Sequence, residues 1–119
     1  LTEQLSVALD DTPVIVNAAL NPDRECTVCS KTLELFVAIL ASEAGNLALK
    51  VYATGGIYIA GGIPPRIMPA LEGAAFVEAF RRKGRFASFL SGVPVHVVTR
   101  PSVALLGAAY HGFEAFGYA

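Results

Sequence analysis

Apolar positions recur at helical spacing between about residues 30 and 53. Leu33, Phe36, Val37, Leu40, Ala44, Leu47, Ala48 and Val51 fall on one side of that stretch. Leu35, Ile39 and Leu49 occupy the opposite side, which predicts a helix buried nearly all round. Gly55-Gly56 is its expected stop, glycine supplying the left-handed conformation that closes a helix. The pattern then changes. Ile57-Tyr58-Ile59-Ala60 is a short β-branched and aromatic run bounded by Gly61-Gly62. Pro64-Pro65 opens helical stretches over Arg66–Leu71 and around Phe76, Val77 and Phe80. Val93–Thr99 is a second strand, with Pro94 near its start, where a missing donor is tolerated. After the loop Arg100-Pro101-Ser102, Val103, Leu106, Tyr110, Phe113 and Phe116 form the apolar face of a last helix. Upstream, Thr12-Pro13 reads as an N-cap followed by proline at the first helical position, giving a short helix to Leu20 that Asn21-Pro22-Asp23 breaks.

Strands separated by helices imply parallel pairing through right-handed crossovers, an α/β design. Both strands are apolar throughout, so each calls for cover on both faces. Two strands also leave two open edges, and sheets seldom stop at two. The expectation is therefore an incomplete sheet that belongs to a larger structure. Residues 1–25 are a helical or irregular lead-in, and residues 26–119 carry the organised part.

Composition narrows the classes. The chain has 119 residues, 54% of them hydrophobic and only 16% charged, which excludes intrinsic disorder. Nine Lys+Arg against ten Asp+Glu leave a net charge of -1 and no basic footprint for nucleic acid. The charge-free windows Val51–Pro65 and Phe86–Thr99 are shorter than the ~18–20 residues a membrane span needs. The opening Leu1-Thr2-Glu3-Gln4 has neither basic region nor apolar core, so no leader and no membrane partner are expected and the cytoplasm is the default compartment. A first residue other than Met fits a processed or truncated chain.

Few residues announce chemistry. Cys26-x-x-Cys29 precedes the long helix, where a lowered thiol pKa is conceivable, but His96 and His111 are too distant in sequence to complete a zinc set. Two small residues at a helix entrance is the plainer reading. Arg81, Arg82, Lys83 and Arg85 form the one basic cluster and read first as a solvated helix end, second as a phosphate-steering or docking patch. His96 reads as a hydrogen-bonded packing residue, and Phe76 with Phe80 as core. There is neither GxxxxGK[ST] nor GxGxxG, and Asp occurs only at positions 10, 11 and 23. Gly61-Gly62, between a strand and a helix start, either merely ends the strand or lets a ribose or phosphate approach the backbone.

Taken together, Gly55-Gly56-Ile57-Tyr58-Ile59-Ala60-Gly61-Gly62-Ile63-Pro64-Pro65-Arg66 resembles the C-terminal region of bacterial glucokinases. Cys26-Thr27-Val28-Cys29, Leu33–Phe36 and Gly45–Leu49 upstream follow that family's order, as do Phe80–Phe86, Val93-Pro94-Val95 and Leu105–Ala108 downstream. The resemblance implies a duplicated actin-like/hexokinase-like (RNase H-like) kinase fold, of which this chain is about the C-terminal third. It also implies ATP, as MgATP, held at the glycine turn by Ala60, Gly61 and Gly62. The family's phosphate-1 loop, catalytic Asp and sugar-binding residues lie upstream of the matching region, so no catalytic, substrate or metal residue is assigned within the chain. The implied partners are a nucleotide and either a missing N-terminal lobe or a second copy. The rival reading is a stand-alone nucleotide-sensing or dimerisation module, or a remnant kept for assembly with a kinase subunit.

Overall fold

A computed structural model describes residues 1–23 and 25–117. Arg24, in the lead-in, and Tyr118 and Ala119, at the end of the second segment, lie outside the described residues. The order is α1 (Thr2–Val7), α2 (Thr12–Leu20), α3 (Thr27–Lys50), β1 (Ile57–Ile59), α4 (Met68–Leu71), α5 (Ala74–Arg81), α6 (Ala87–Ser91), β2 (Val95–Val97) and α7 (Val103–Phe116). A 3₁₀ turn over Pro64–Ile67 leads into α4, and another over Gly84–Phe86 leads into α6. β1 and β2 pair in parallel with Ile57 opposite Val95, Tyr58 opposite His96 and Ile59 opposite Val97. The crossover between them consists of α4, α5 and α6, as the alternation of strand and helix required.

The long helix α3 organises the rest. Its buried residues are Cys29, Leu33, Val37, Ala41, Ala44, Gly45 and Ala48, a stripe at three- and four-residue spacing. The second half of that stripe is made of small residues, so α5 comes down onto the helix backbone. A Cβ at Gly45 would stand 2.6 Å from the Phe80 carbonyl oxygen and 3.2 Å from Lys83 Cε. Phe76 and Phe80 stack one turn apart at 6.4 Å and join Ile67, Leu71 and Leu90 in the core, as their spacing implied.

Several expectations change. The helix α3 is covered on one side only: Leu35 is 63% exposed and Ile39 and Leu47 are exposed with it, so burial all round is not what the fold provides. By length and composition alone α3 could cross a bilayer, with mean hydropathy 1.4 over its most apolar window. Scattered charges such as Lys31 and Glu34 interrupt α3, so it contains no long charge-free window. The helix ends before the glycines. Tyr52, at φ 51, takes the left-handed position; its N–H donates to the Leu49 carbonyl at 3.3 Å and the Ala53 N–H to that of Ala48 at 2.9 Å. That is a Schellman closure built on tyrosine instead of glycine, and the Tyr52 ring stacks on Phe89 at 4.9 Å. Gly56 serves another purpose: at φ 120, where a Cβ would stand 3.0 Å from the Pro94 carbonyl oxygen, it lets the Ile57 N–H donate to that oxygen at 2.9 Å. Asp11, not Thr12, is the N-cap of α2, while Asp10 accepts the Thr12 N–H at 2.9 Å.

Both strands are covered on one face only, Ile57 and Ile59 inward and Tyr58 66% exposed. None of the residues of α7 is buried, so its apolar face meets no cover within this chain. The molecule is accordingly broad and thin, 54 × 42 × 20 Å, with a radius of gyration of 17.6 Å. A compact chain of this length has about 13.5 Å.

The Gly45 contact gives the first prediction. In an open helix position Gly→Ala gains up to about 1 kcal/mol, and Gly107, with open space around it in α7, should behave so. Gly45→Ala should have the opposite sign and cost about 1–3 kcal/mol, because backbone must move to admit the methyl group. Urea unfolding of the two variants beside the parent measures both.

Candidate functional site

The candidate residues Ala60, Gly61 and Gly62 follow directly on β1 and precede the 3₁₀ turn at Pro64. All three are exposed. Gly61 has φ 115, a conformation closed to residues with a Cβ, and nothing lies within 4 Å of the position a Cβ would occupy at either glycine. The turn thus presents bare backbone to open space at the carboxyl end of a strand. In open α/β sheets that is where ligands lie. Gly62 differs from Gly61 in having no left-handed backbone, so the absence of a side chain there is not required by folding.

The parallel register brings a second segment to the same edge. The Val98 N–H donates to the Ile59 carbonyl at 2.8 Å, so the exit of β2 (Val98, Thr99 and Arg100) runs out beside the exit of β1. Arg100 is exposed, and its Nε donates to Ser102 Oγ at 3.2 Å. Sequence reading passed over this arginine as part of a loop. Only the strand pairing shows which edge it occupies.

Beside the glycine turn, Ile63 and Ile67 line an apolar cavity of about 210 Å³ with Ile15, Val16, Leu33 and Phe36. A larger groove of about 540 Å³ lies elsewhere, between α5 and the start of β2, and none of Ala60, Gly61 or Gly62 lines it. Arg81 of the basic cluster borders that groove with Gly92 and Pro94. Within the cluster Arg81, Arg82 and Arg85 are exposed, as a solvated helix end requires, and the Arg85 guanidinium lies 5.2 Å from the centre of the Phe86 ring. Lys83 departs from that description: it is half-buried, and its Nζ donates to Ser42 Oγ at 2.8 Å, tying the segment just after α5 to α3.

His96 is exposed and stacks on Tyr58 at 4.9 Å across the strand pair, in place of the internal hydrogen bond expected of it. Cys26 and Cys29 are both free, with sulfurs 2.8 Å apart. Among the described residues no three His, Cys, Asp or Glu side chains cluster closely enough to hold a metal ion.

Comparison with known proteins gives this geometry a context. The family model described as Glucokinase matches residues 2–114. Glucokinases of Yersinia pestis (strain Pestoides F) and Yersinia pseudotuberculosis (serotype O:1b, strain IP 31758) are each 45% identical over 93 residues, covering 78% of this chain and 29% of theirs. The crystal structure of a glucokinase from an Antarctic psychrotroph superposes with a TM-score of 0.70 at 43% identity, over 80% of this chain and 29% of that one. Over the matched stretch the fold is that of an α/β kinase. The chain belongs to the glucokinase family, and it spans less than a third of the length of the relatives it matches.

The two glycines should separate folding from ligand approach. Gly61→Ala forces a side chain into a glycine-only conformation and should cost about 1–3 kcal/mol. Gly62→Ala, unstrained and unobstructed, should stay within about 0.5 kcal/mol of the parent. Thermal and urea unfolding of both variants checks the difference.

Proposed function

We propose that this chain is the adenosine-binding portion of a glucokinase-like sugar kinase, which transfers the γ-phosphoryl group of ATP to D-glucose. The observation that carries the reading is the open, Cβ-free backbone of Gly61 and Gly62 at the carboxyl edge of a parallel strand pair, in a chain of this family. A ribose or phosphate oxygen can approach such a backbone without meeting a side chain. Ala60, Gly61 and Gly62 hold the nucleotide in this reading, the apolar cavity beside Ile63 and Ile67 takes the flat base, and Arg100 at the same edge supplies a cation toward the phosphates. The nucleotide arrives as MgATP, and nothing in this chain is assigned to the metal.

Phosphoryl transfer also needs a base for the attacking hydroxyl and a carboxylate that orders the metal. The three Asp residues stand at positions 10, 11 and 23, in and around the first two helices; Asp10 accepts the Thr12 N–H, so its carboxylate is engaged at the start of α2. In this reading the base and the sugar site belong to further polypeptide, an N-terminal lobe, as the family resemblance implies. The surface agrees with a missing neighbour: 8569 Å² is accessible, where a folded monomer of 12.5 kDa exposes about 6,200 Å². The open sheet face, α7 and the outer side of α3 are where that lobe packs. The domain division follows, with residues 26–119 as nucleotide-binding part and 1–25 as lead-in, in a cytoplasmic enzyme.

Calorimetric titration with MgATP tests the assignment. Saturable binding by the parent chain, lost in Gly62→Val while the circular dichroism spectrum is kept, is the expected result. Undiminished binding by Gly62→Val would remove the glycine turn from the nucleotide site. The isolated chain should form no glucose 6-phosphate from glucose and MgATP in a coupled dehydrogenase assay.

A further inference from the structure

The fold leaves Cys26 and Cys29 without a part in the nucleotide reading, and their arrangement is specific. Cys26 is the N-cap of α3 and Cys29 lies in its first turn, with the two sulfurs 2.8 Å apart. The sulfurs need to close by less than about 1 Å to reach the ~2.05 Å of a disulfide bond. Their accessibility is unequal. Cys26 is half-buried and lines a cavity of about 480 Å³ together with Gln4, Asn17, Asn21 and Glu25. Cys29 is 3% exposed, packed beneath. One thiol can therefore be reached from solvent, and the other can be reached only through the first.

We propose that Cys26 and Cys29 form a redox-active dithiol that exchanges with small peptide disulfides of the glutathione type, Cys26 attacking and Cys29 resolving. The side-chain amides of Gln4, Asn17 and Asn21 offer donors and acceptors to the amides of such a molecule. The Cys29 thiol, followed by the first-turn N–H groups of Cys29 and Val28, favours the thiolate of Cys26 and holds its pKa below the usual thiol range. The same sulfur contact, with burial added, raises that of Cys29. The attacking group is thus readied, and the resolving group stays protonated until it is needed.

The exchange balances in two steps. Cys26 thiolate attacks one sulfur of the oxidised peptide, forming a mixed disulfide and expelling one peptide thiolate, which takes up a proton. Cys29 then gives up its proton and attacks the Cys26 sulfur, forming the Cys26–Cys29 disulfide and expelling the second peptide thiol. The protein loses two electrons and two protons, and the oxidised peptide gains them. The inference uses no residue of the nucleotide site and does not depend on it.

The test equilibrates the reduced 119-residue chain with graded mixtures of reduced and oxidised glutathione, traps free thiols by alkylation and reads the products by peptide mass mapping. The expected result is an internal Cys26–Cys29 bridge, with Cys26 attacking oxidised glutathione at least about threefold faster in the native chain than in urea. Cys29→Ala should instead accumulate glutathione on Cys26. Equal rates in the native and urea-unfolded chain would overturn the proposal without recourse to any variant. So would glutathione found first on Cys29, or a Cys29→Ala chain that remains unmodified.

Discussion

The close approach of α5 to α3 at Gly45 is the constraint from which the rest of the structure follows. Where the Phe80 carbonyl would lie 2.6 Å from a Cβ, only a glycine can stand. The neighbouring Ala41, Ala44 and Ala48 extend the same low ridge along the helix. Because α5 lies low on this ridge, Phe76 and Phe80 reach the core formed with Ile67, Leu71 and Leu90. These helices make up the crossover, so their depth also fixes where β2 returns beside β1. Lys83 fastens the far end of the contact through Ser42. A charged side chain is thereby made part of the packing without needing a counter-ion in the interior.

The strand pairing turns this packing into a usable edge. Parallel strands exit together, so the glycine turn and the Thr99-Arg100 segment come to one rim although some forty residues separate them. The other consequence is openness. A two-stranded sheet with one covered face, a last helix with nothing buried and a long helix covered on one side belong to a chain rich in apolar residues but short of partners for them. This explains a composition that is 54% hydrophobic in so thin a molecule.

Much of this was legible from residue order. The two strands, their parallel sense, the crossover helices and the Phe76–Phe80 core pair all follow from period and spacing. The extent of burial did not. Leu35 and Ile39 look like core to any periodicity argument, because periodicity records which residues share a face and is silent on whether anything covers it. Small-residue packing was hidden for the opposite reason: Ala41 and Gly45 carry no hydrophobic signal, and their role appears only when a second helix is in contact. The stop of α3 was placed at Gly55-Gly56 on propensity, and Tyr52 overrode it through a tertiary contact. The first helix, Thr2–Val7, was not marked because six residues are too few to show a helical period and no side chain caps its start. At the site, the glycine turn was visible as a strand-to-helix punctuation, whereas Arg100 acquires meaning only from the register of β1 and β2.

The left-handed Tyr52 has an implication for the order of assembly. A residue with a side chain pays about 1–2 kcal/mol in that conformation, and the ring that compensates it, Phe89, lies thirty-seven positions downstream. A nascent chain that has produced only α3 has the local Schellman hydrogen bonds but lacks the ring contact, so the stop at Lys50 is held less firmly at that stage. The boundary becomes fixed when α6 arrives. The exit of β1 from the long helix and the position of α6, which leads into β2, are thus braced by one and the same ring contact.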